Sequence, residues 1–237
     1  MFEKSFSKEN LDVYLKALAK EYKKLNRKNT PAEIILIGGA SIMINYGFRE
    51  MTYDMDAIIN ASSSMKDAIN IVGDRYALPN GWLNTDFIRT ASYTPRISRF
   101  SEYYKTYSDI VTFRTVKGKY LIAMKLMAGR QYKYDLSDVV GILWEQEEKG
   151  EPLSLDIIKQ AVTDLYDSFD AIPEISRKFI ENIINEGRYG ELYEHIREEE
   201  KENRNILLEF QESYPDAIDS DNVNEIIATI RTKQGIK

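Results

Sequence analysis

The sequence predicts an α/β (α+β) fold, in which a small mixed sheet flanked by helices precedes a C-terminal helical bundle. Short apolar runs bounded by glycine and polar turns, such as residues 34–37, are typical of buried strands. Apolar residues at helical spacing lie between these runs. After Pro152 the chain reads as charged amphipathic helices joined by short loops, which is typical of a small bundle. We therefore expect two domains, at residues 1–150 and 151–237.

The N-terminal part predicts an alternation of helices and strands. Ser7 can cap a first helix, in which leucine and tyrosine side chains recur on one face until Asn29 and Pro31 end it. The further elements predicted are strands at 34–37, 54–59 and 109–116, helices at 40–46, 62–76, 120–129 and 135–150, and C-terminal helices at 155–169, 175–186, 191–214 and 222–232. Residues 79–107 show no clear period and predict no element.

The composition narrows the chemistry to carboxylates, hydroxyls, lysine and arginine. The chain has no cysteine, which excludes disulfides and thiolate sites. Its single histidine, His195, lies in a charged segment, where we expect it at the surface. No apolar run approaches the roughly 18 residues of a membrane span, and the N-terminus has no signal-peptide apolar core. We therefore expect a cytoplasmic protein without a membrane partner.

The charge distribution bears on nucleic-acid binding. The formal net charge of −6 argues against a general nucleic-acid binder, which carries a basic excess. The charge is uneven, because residues 20–28 are basic and much of the acidic excess lies towards the C-terminus, as in residues 198–202. A local basic groove on an acidic protein is compatible with this pattern. The tyrosines of residues 93–134 could stack on bases, although such tyrosines are more often core and rim aromatics.

The segment with the most chemical information is IGGASIMINYGFREMTYDMDAI, at residues 37–58. The segment predicts a strand that ends at two glycines, then a helix and a turn. An Asp-x-Asp pattern follows at the start of a second predicted strand. Two glycines after a strand let the backbone approach a phosphate, and the N–H groups of the following helix favour an anion. Gly38, Gly39 and the hydroxyl of Ser41 are therefore candidate phosphate contacts.

The two acids of the Asp-x-Asp pattern are candidate metal ligands. Alternate residues of a strand share one face, so Asp54 and Asp56 point the same way while Met55 points to the core. Paired carboxylates can hold Mg²⁺ ions that they share with substrate phosphates. Two metals about 3.5–4 Å apart can stabilise both the attacking and the leaving oxygen of an in-line displacement. Either motif alone is common; the ordered combination is rare.

The ordered combination resembles the signature of the DNA polymerase β-type nucleotidyltransferases. Arg49 and Thr52, just before the acids, resemble the branch that includes the AbiEii-type toxins and many uncharacterised bacterial relatives. The segment YLIAMKLMAGRQYKYDLSDVVGIL, at residues 120–143, is similar to a second block of that branch, and Gly81-Trp82-Leu83-Asn84 to a motif of uncharacterised members. The resemblance covers about residues 30–145.

The resemblance implies a nucleotidyltransferase fold, an NTP substrate and two Mg²⁺ ions. It implies that Gly38, Gly39 and Ser41 cradle the triphosphate, that Asp54 and Asp56 ligate the metal, that Lys125 neutralises phosphate charge, and that Asp138 matches a functional family acid. Arg130 is a candidate second phosphate contact. The toxin branch further implies tRNA or a protein as acceptor, and a partner antitoxin.

Several of these residues admit another interpretation. Lys125 could be a solvated lysine on a helix. Asp135 is predicted to be the N-cap of the helix that it opens, and Asp138 could be an acid of its first turn. Many superfamily members use a third carboxylate on a neighbouring strand; Asp109, at the start of a predicted strand, is the positional candidate for it.

Three rival functions stay open at the level of sequence. A nucleotide-sugar glycosyltransferase also uses Asp-x-Asp with a divalent metal, although the glycines and helix before the acids argue against it. A non-catalytic descendant could bind nucleotide or a partner protein through the same fold. A small-molecule nucleotidyltransferase, such as an antibiotic-modifying enzyme, would share the chemistry and differ in its acceptor.

Overall fold

The structure is a computed structural model that describes residues 5–26, 28–215, 217–219 and 222–234. Its centre is a five-stranded mixed sheet of order β5-β4-β2-β7-β6. These strands are β2 (Ala32–Leu36), β4 (Met55–Asn60), β5 (Leu83–Asn84), β6 (Ser101–Tyr107) and β7 (Val111–Val116). β2 is antiparallel to β4 and parallel to β7. The short strands β1 (Phe6–Ser7) and β3 (Met51–Thr52) form a separate antiparallel pair.

Helices cover both faces of the sheet and continue into the C-terminal part. The helices are α1 (Lys8–Leu25), α2 (Gly38–Asn45), α3 (Ser64–Tyr76), α4 (Gly118–Ala128), α5 (Asp135–Glu148), α6 (Leu155–Tyr166), α7 (Glu174–Glu186), α8 (Tyr189–Ser213) and α9 (Val223–Gln234). The predicted fold class, a mixed sheet with helices followed by C-terminal helices, is confirmed. None of the helices in the described ranges is both long and apolar enough to span a bilayer.

Alternation along the strands assigns each face of the sheet to its own core. On one face Ile34 and Leu36 pack with α1 and α3. On the other face Ile35 packs with α4, α5 and the C-terminal helices. The second cluster runs from Ile35 through α6 and α7 to Ile196 on α8 without a break at residue 150. The two-domain division stays a prediction, but the helical part and the sheet share one core.

Most predicted elements are present within a few residues of their expected ends. α2 begins at Gly38, because the glycines form its first turn rather than a loop before it. The β7 strand begins at Val111, since Ser108 and Asp109 adopt left-handed backbone conformations in the turn that precedes it. Residues 79–107, for which no element was predicted, contain β5, two short 3₁₀ helices and β6.

Candidate active site

The glycine turn joins the end of β2 to the start of α2. Gly38 has a φ of +55°, a backbone conformation that glycine adopts without the cost of a Cβ. The N–H of Ile37, the residue before it, donates to the backbone oxygen of Asp56 at 2.9 Å. The start of α2 is therefore held beside the strand that carries Asp56.

Asp54 and Asp56 lie beside this turn. Met55 is fully buried on the α1 and α3 face of β4, so Asp56 points to the opposite face. The Asp56 Oδ2 atom lies 4.0 Å from the position that a Cβ on Gly38 would occupy. The buried hydroxyl of Thr52 donates to the backbone oxygen of Asp54 at 3.1 Å. The turn and the two acids thus line one space.

The charge around Asp56 fits an oxygen-ligated cation. Burial raises the pKa of Asp56, and the neighbouring carboxylate of Asp54 raises it further, whereas Arg130 lowers it. A cation between the two carboxylates would relieve their repulsion. Among the described residues, no group of three or more acidic or histidine side chains is arranged to hold a metal. A metal here would therefore take its protein ligands from the aspartate pair.

Ser41, a predicted phosphate contact, is turned into the protein. Its side chain is fully buried, and its hydroxyl accepts a 2.9 Å hydrogen bond from the N–H of Val116 at the end of β7. A triphosphate in the space beside Asp56 cannot reach this hydroxyl. The structure therefore gives Ser41 a packing role in place of the predicted one.

A cluster of charges centred on Lys125 of α4 adjoins the glycine turn, where the Arg49 guanidinium lies close to Gly39. The Lys125 ammonium lies 2.7 Å from Asp135 Oδ1 and 2.9 Å from Asp138 Oδ2, both on α5. Arg130 pairs with Asp135 at 2.7 Å. Arg49 pairs with Asp138, and its Nη2 atom lies 2.6 Å from the position that a Cβ on Gly39 would occupy. We call these five residues the charge cluster; they comprise three cations and two carboxylates.

The pKa shifts of Arg49, Lys125, Arg130 and Asp135 all favour the charged forms of these side chains. Burial opposes the charge of Lys125, but Asp135 and Asp138 outweigh it and raise the pKa of the ammonium. Burial likewise acts to raise the pKa of Asp135, and Lys125 and Arg130 reverse the effect and lower it. Lys125 is thus no solvated lysine. It neutralises carboxylates within the cluster, and its charge also lowers the pKa of Asp56.

The predicted N-cap role of Asp135 is wrong. Asp135 is the first residue of α5, and its carboxylate is occupied by Lys125 and Arg130. The N–H groups of the first turn, at Leu136 and Ser137, donate instead to Glu200 of α8. Sequence spacing could not show this, because the capping acid comes from 63 and 64 residues further along the chain.

Asp109 is not the third carboxylate. β2 and β7 are parallel and Ala32 is opposite Val111, so the residues before β7 lie at the edge where β2 begins. Gly38 and the acids lie at the other edge, where β2 ends, roughly 16 Å away for a strand of five residues. Asp109 is exposed in the turn between β6 and β7. The error came from the direction of β7, which the sequence does not show.

An acid that sequence reasoning missed is Asp86. β5 is parallel to β4 with Asn84 opposite Asp56, and Asp86 follows two residues later. Its charge helps to raise the pKa of Asp56, after burial and Asp54. The signal that could have found Asp86 was the motif at residues 81–84, which ends two residues before it. Asp86 contributes to the electrostatics of the site rather than to a three-acid metal site.

A groove of about 860 Å³ runs along α3 and residues 78–86. Asn84, Thr85 and Asp86 line it, whereas Asp54 and Asp56 do not. The other polar side chains that line the groove carry mainly hydroxyl and amide groups, together with the ammonium of Lys66 and the carboxylate of Asp74. The groove therefore adjoins the acids at β5 and has no basic excess.

Comparison with known proteins agrees with this geometry. No curated protein and no solved structure matches the chain. A family model described as "Nucleotidyltransferase of unknown function (DUF6036)" matches residues 14–178, more than half of the chain. The matched residues include the glycine turn, both acids and the charge cluster. The chain therefore belongs to this family of nucleotidyltransferases.

Proposed function

We propose that this protein transfers a nucleoside monophosphate from an NTP to an acceptor, with Asp54 and Asp56 as ligands of Mg²⁺. The observation that carries the proposal is the shared space between the carboxylates and the N-terminus of α2, where Asp56 Oδ2 lies 4.0 Å from the Cβ position of Gly38. A phosphate in that space meets backbone N–H groups on one side and carboxylates on the other. Only a bridging cation makes that combination favourable.

The reaction forms a bond between an acceptor oxygen and the α-phosphorus, and breaks the bond from that phosphorus to the oxygen that leads to the β-phosphate. Pyrophosphate leaves, and the acceptor proton passes to solvent. Bound Mg²⁺ would neutralise the charge that develops on the phosphate oxygens. Arg130, whose guanidinium is partly exposed beside Asp56, is the member of the charge cluster that contacts the triphosphate. Arg49, beside Gly39, and Lys125, whose charge reaches Asp56, add positive potential to the site.

Transfer of label tests the proposal. Purified protein is incubated with Mg²⁺, each α-³²P-labelled NTP, and either total RNA or a cell lysate. We expect label in an acceptor with the wild type and none with Asp54→Asn or Asp56→Asn, while Asp156→Asn, at an exposed position in the first turn of α6, stays active. Binding of Mg²⁺–NTP without transfer to any acceptor would favour a non-catalytic binding module. Absence of both binding and transfer would contradict the proposal.

The groove along α3 bears on the acceptor. Nucleic acid binding depends on lysine and arginine that neutralise phosphates. The charged side chains that line the groove are one lysine, Lys66, and two acids, Asp74 and Asp86, and its other polar groups are hydroxyls and amides. We propose a hydroxyl-bearing protein as the acceptor in preference to tRNA. Label in a protein band supports this choice, whereas label in RNA supports the tRNA alternative, and label in small metabolites supports the small-molecule one.

A toxin-like role with a partner antitoxin, in a bacterial cytoplasm, rests on the resemblance to AbiEii-type toxins. If the chain is a toxin, its expression arrests growth and Asp56→Asn abolishes the arrest. Normal growth at high expression of the wild type would separate the transferase activity from a toxin role.

A further inference from the structure

One face of α8 lies along the segment that joins α4 to α5. Its members recur at spacings of three or four residues and are Tyr193, Arg197, Glu200, Asn203 and Leu207. The Arg197 guanidinium lies 4.1 Å from the centre of the Tyr134 ring, and the Asn203 amide donates to the backbone oxygen of Gln131 at 3.0 Å. Leu207 packs in a cluster with Tyr132. α8 begins after the residues that the family model matches.

Glu200 makes the most specific contacts of this face. It is 1% exposed. One carboxylate oxygen accepts from the N–H of Leu136 at 2.8 Å, and the other accepts from the N–H and the hydroxyl of Ser137 at 3.3 and 2.5 Å. The residue at the N-cap position of α5, Tyr134, provides no side-chain cap. Glu200 therefore satisfies N–H groups that a local cap would otherwise take.

The first turn of α5 carries both carboxylates of the charge cluster, Asp135 and Asp138. Because both are on one turn of one helix, a displacement of this turn moves them together. Each holds two cations. Arg130, whose charge lowers the pKa of Asp56, is thus paired with a carboxylate of this turn.

We propose that Glu200 is a positioning residue of the nucleotide site, which fixes the first turn of α5 from α8 and thereby orients the charge cluster towards Asp54 and Asp56. This inference rests on the proposed function. It extends the site beyond the matched family residues to the C-terminal helices.

The environment of Glu200 agrees with a role beyond surface capping. Burial raises its pKa to about 7, although the hydrogen bonds from Ser137 and Leu136 act to lower it. Asp138 is the charged group that faces it from α5 and raises the pKa further, and Arg197 lies one turn before it on α8. The raised pKa means that the charged form of Glu200 costs free energy in the folded protein despite its three hydrogen bonds.

The test measures nucleotide affinity and local structure in the full chain. The variants are Glu200→Ala, Glu200→Gln, which keeps one acceptor oxygen, exposed Glu198→Ala on α8, and Ile158→Val, a core change on α6 that lowers stability without touching the cap. Calorimetry with Mg²⁺ and α,β-methylene analogues of the four NTPs gives the affinity. Hydrogen exchange of the Leu136 and Ser137 amides measures whether their hydrogen bonds to residue 200 are kept. If Glu200→Ala does not fold, Glu200→Asp, whose carboxylate is too short to reach both N–H groups, replaces it.

We expect Glu200→Ala to bind the analogue about tenfold more weakly and to exchange faster at Leu136 and Ser137. Glu200→Gln stays within about threefold of the wild type, and both controls bind as the wild type does. Unchanged affinity in Glu200→Ala despite faster exchange would overturn the inference, as would equal weakening in Ile158→Val.

Failure of the proposed function gives a different result. In that case the wild type binds none of the analogues. The side-chain ¹⁵N resonances of Lys125 and Arg130 then decide: a shift in Glu200→Ala that Glu200→Gln reverses supports positioning, and no shift overturns it.

Discussion

At the scale of single residues, the candidate site depends on a carboxylate in an unfavourable position. Asp56 is half-buried, and burial and Asp54 raise its pKa above the ordinary aspartate value. A raised pKa in the folded state means that ionised Asp56 destabilises the fold at neutral pH. Such a position is typical of a residue retained for function rather than for stability.

We expect Asp56→Asn to stabilise the metal-free protein. Removal of the charge should raise Tm in EDTA by about 2–4 °C, which corresponds to about 1 kcal/mol for a chain of this size. If the aspartate pair holds Mg²⁺ as proposed, the ion should raise Tm of the wild type and leave Tm of Asp56→Asn unchanged. Thermal unfolding with and without Mg²⁺ measures both effects, with Asp74→Asn as the control. An equal response to Mg²⁺ in all three proteins would place the ion elsewhere.

At position 39, the close approach of neighbouring side chains leaves room for glycine only. A Cβ at this position would lie 2.6 Å from Arg49 Nη2 and 2.7 Å from Thr52 Oγ1. Arg49 cannot move freely, because it also pairs with buried Asp138. We expect Gly39→Ala to lower the free energy of unfolding by about 1–3 kcal/mol, the range for overpacking.

Urea unfolding of Gly39→Ala measures this cost. Gly190→Ala in α8 is the matched control, because its Cβ would make ordinary contact with Trp144 at 3.5 Å. That change replaces glycine in a helix and should raise stability by up to about 1 kcal/mol. A stable Gly39→Ala protein would mean that Arg49 leaves Asp138 at little cost.

At the scale of elements, the charge cluster joins α4 to α5 through buried ion pairs. Lys125 of α4 pairs with Asp135 and Asp138 of α5. Arg130, in the segment between the two helices, also pairs with Asp135. Removing one partner of a buried pair leaves an uncompensated charge, which costs more than the pair itself contributes.

We expect Asp135→Asn to lower the free energy of unfolding by about 3–5 kcal/mol, since Lys125 and Arg130 lose the same carboxylate. Exposed Asp170→Asn, which breaks an ion pair with Arg177 at the surface, should cost no more than about 1 kcal/mol. Denaturant unfolding of the two variants measures the difference. A similar loss of unfolding free energy in both variants would show that water screens the ion pairs of the charge cluster.

The carboxylate of Asp135 also predicts how the stability of the protein changes with pH. The pKa of Asp135 is lowered in the folded state, so its contribution is present above the unfolded value, near 4, and is lost as the pH falls through the folded value. Stability of the wild type should therefore fall as the pH drops below about 4, and less steeply in Asp135→Asn. Parallel curves would assign acid denaturation to other carboxylates.

At the scale of the whole molecule, one apolar core connects the sheet to the C-terminal helices. The cluster that begins at Ile35 on β2 includes Val162 on α6, Ile180 on α7 and Ile196 on α8. A core shared in this way couples the unfolding of its members.

We expect a single thermal unfolding transition whose calorimetric and van't Hoff enthalpies agree. Scanning calorimetry of the full chain measures both enthalpies, and Ile180→Ala should move the whole transition to lower temperature. Two resolved transitions, of which only one responds to Ile180→Ala, would instead support independent domains at residues 1–150 and 151–237.

The sequence by itself determined the local parts of the site. The turn at Gly38 and the position of Asp56 on the strand face opposite Met55 could be predicted, because glycine conformations and strand alternation depend on nearest neighbours. The helices and the buried strands could be predicted for the same reason, since each follows from a short period in the chain. The exposed position of His195 is confirmed as well.

Only the tertiary structure decided which distant residues meet. The direction of β7 placed Asp109 at the wrong edge of the sheet, and the position of β5 beside β4 brought Asp86 near Asp56. The packing of α8 on α5 made Glu200 the cap that Asp135 was expected to be. These outcomes depend on strand order and helix docking, which are set by the burial of whole faces and leave no local period in the sequence.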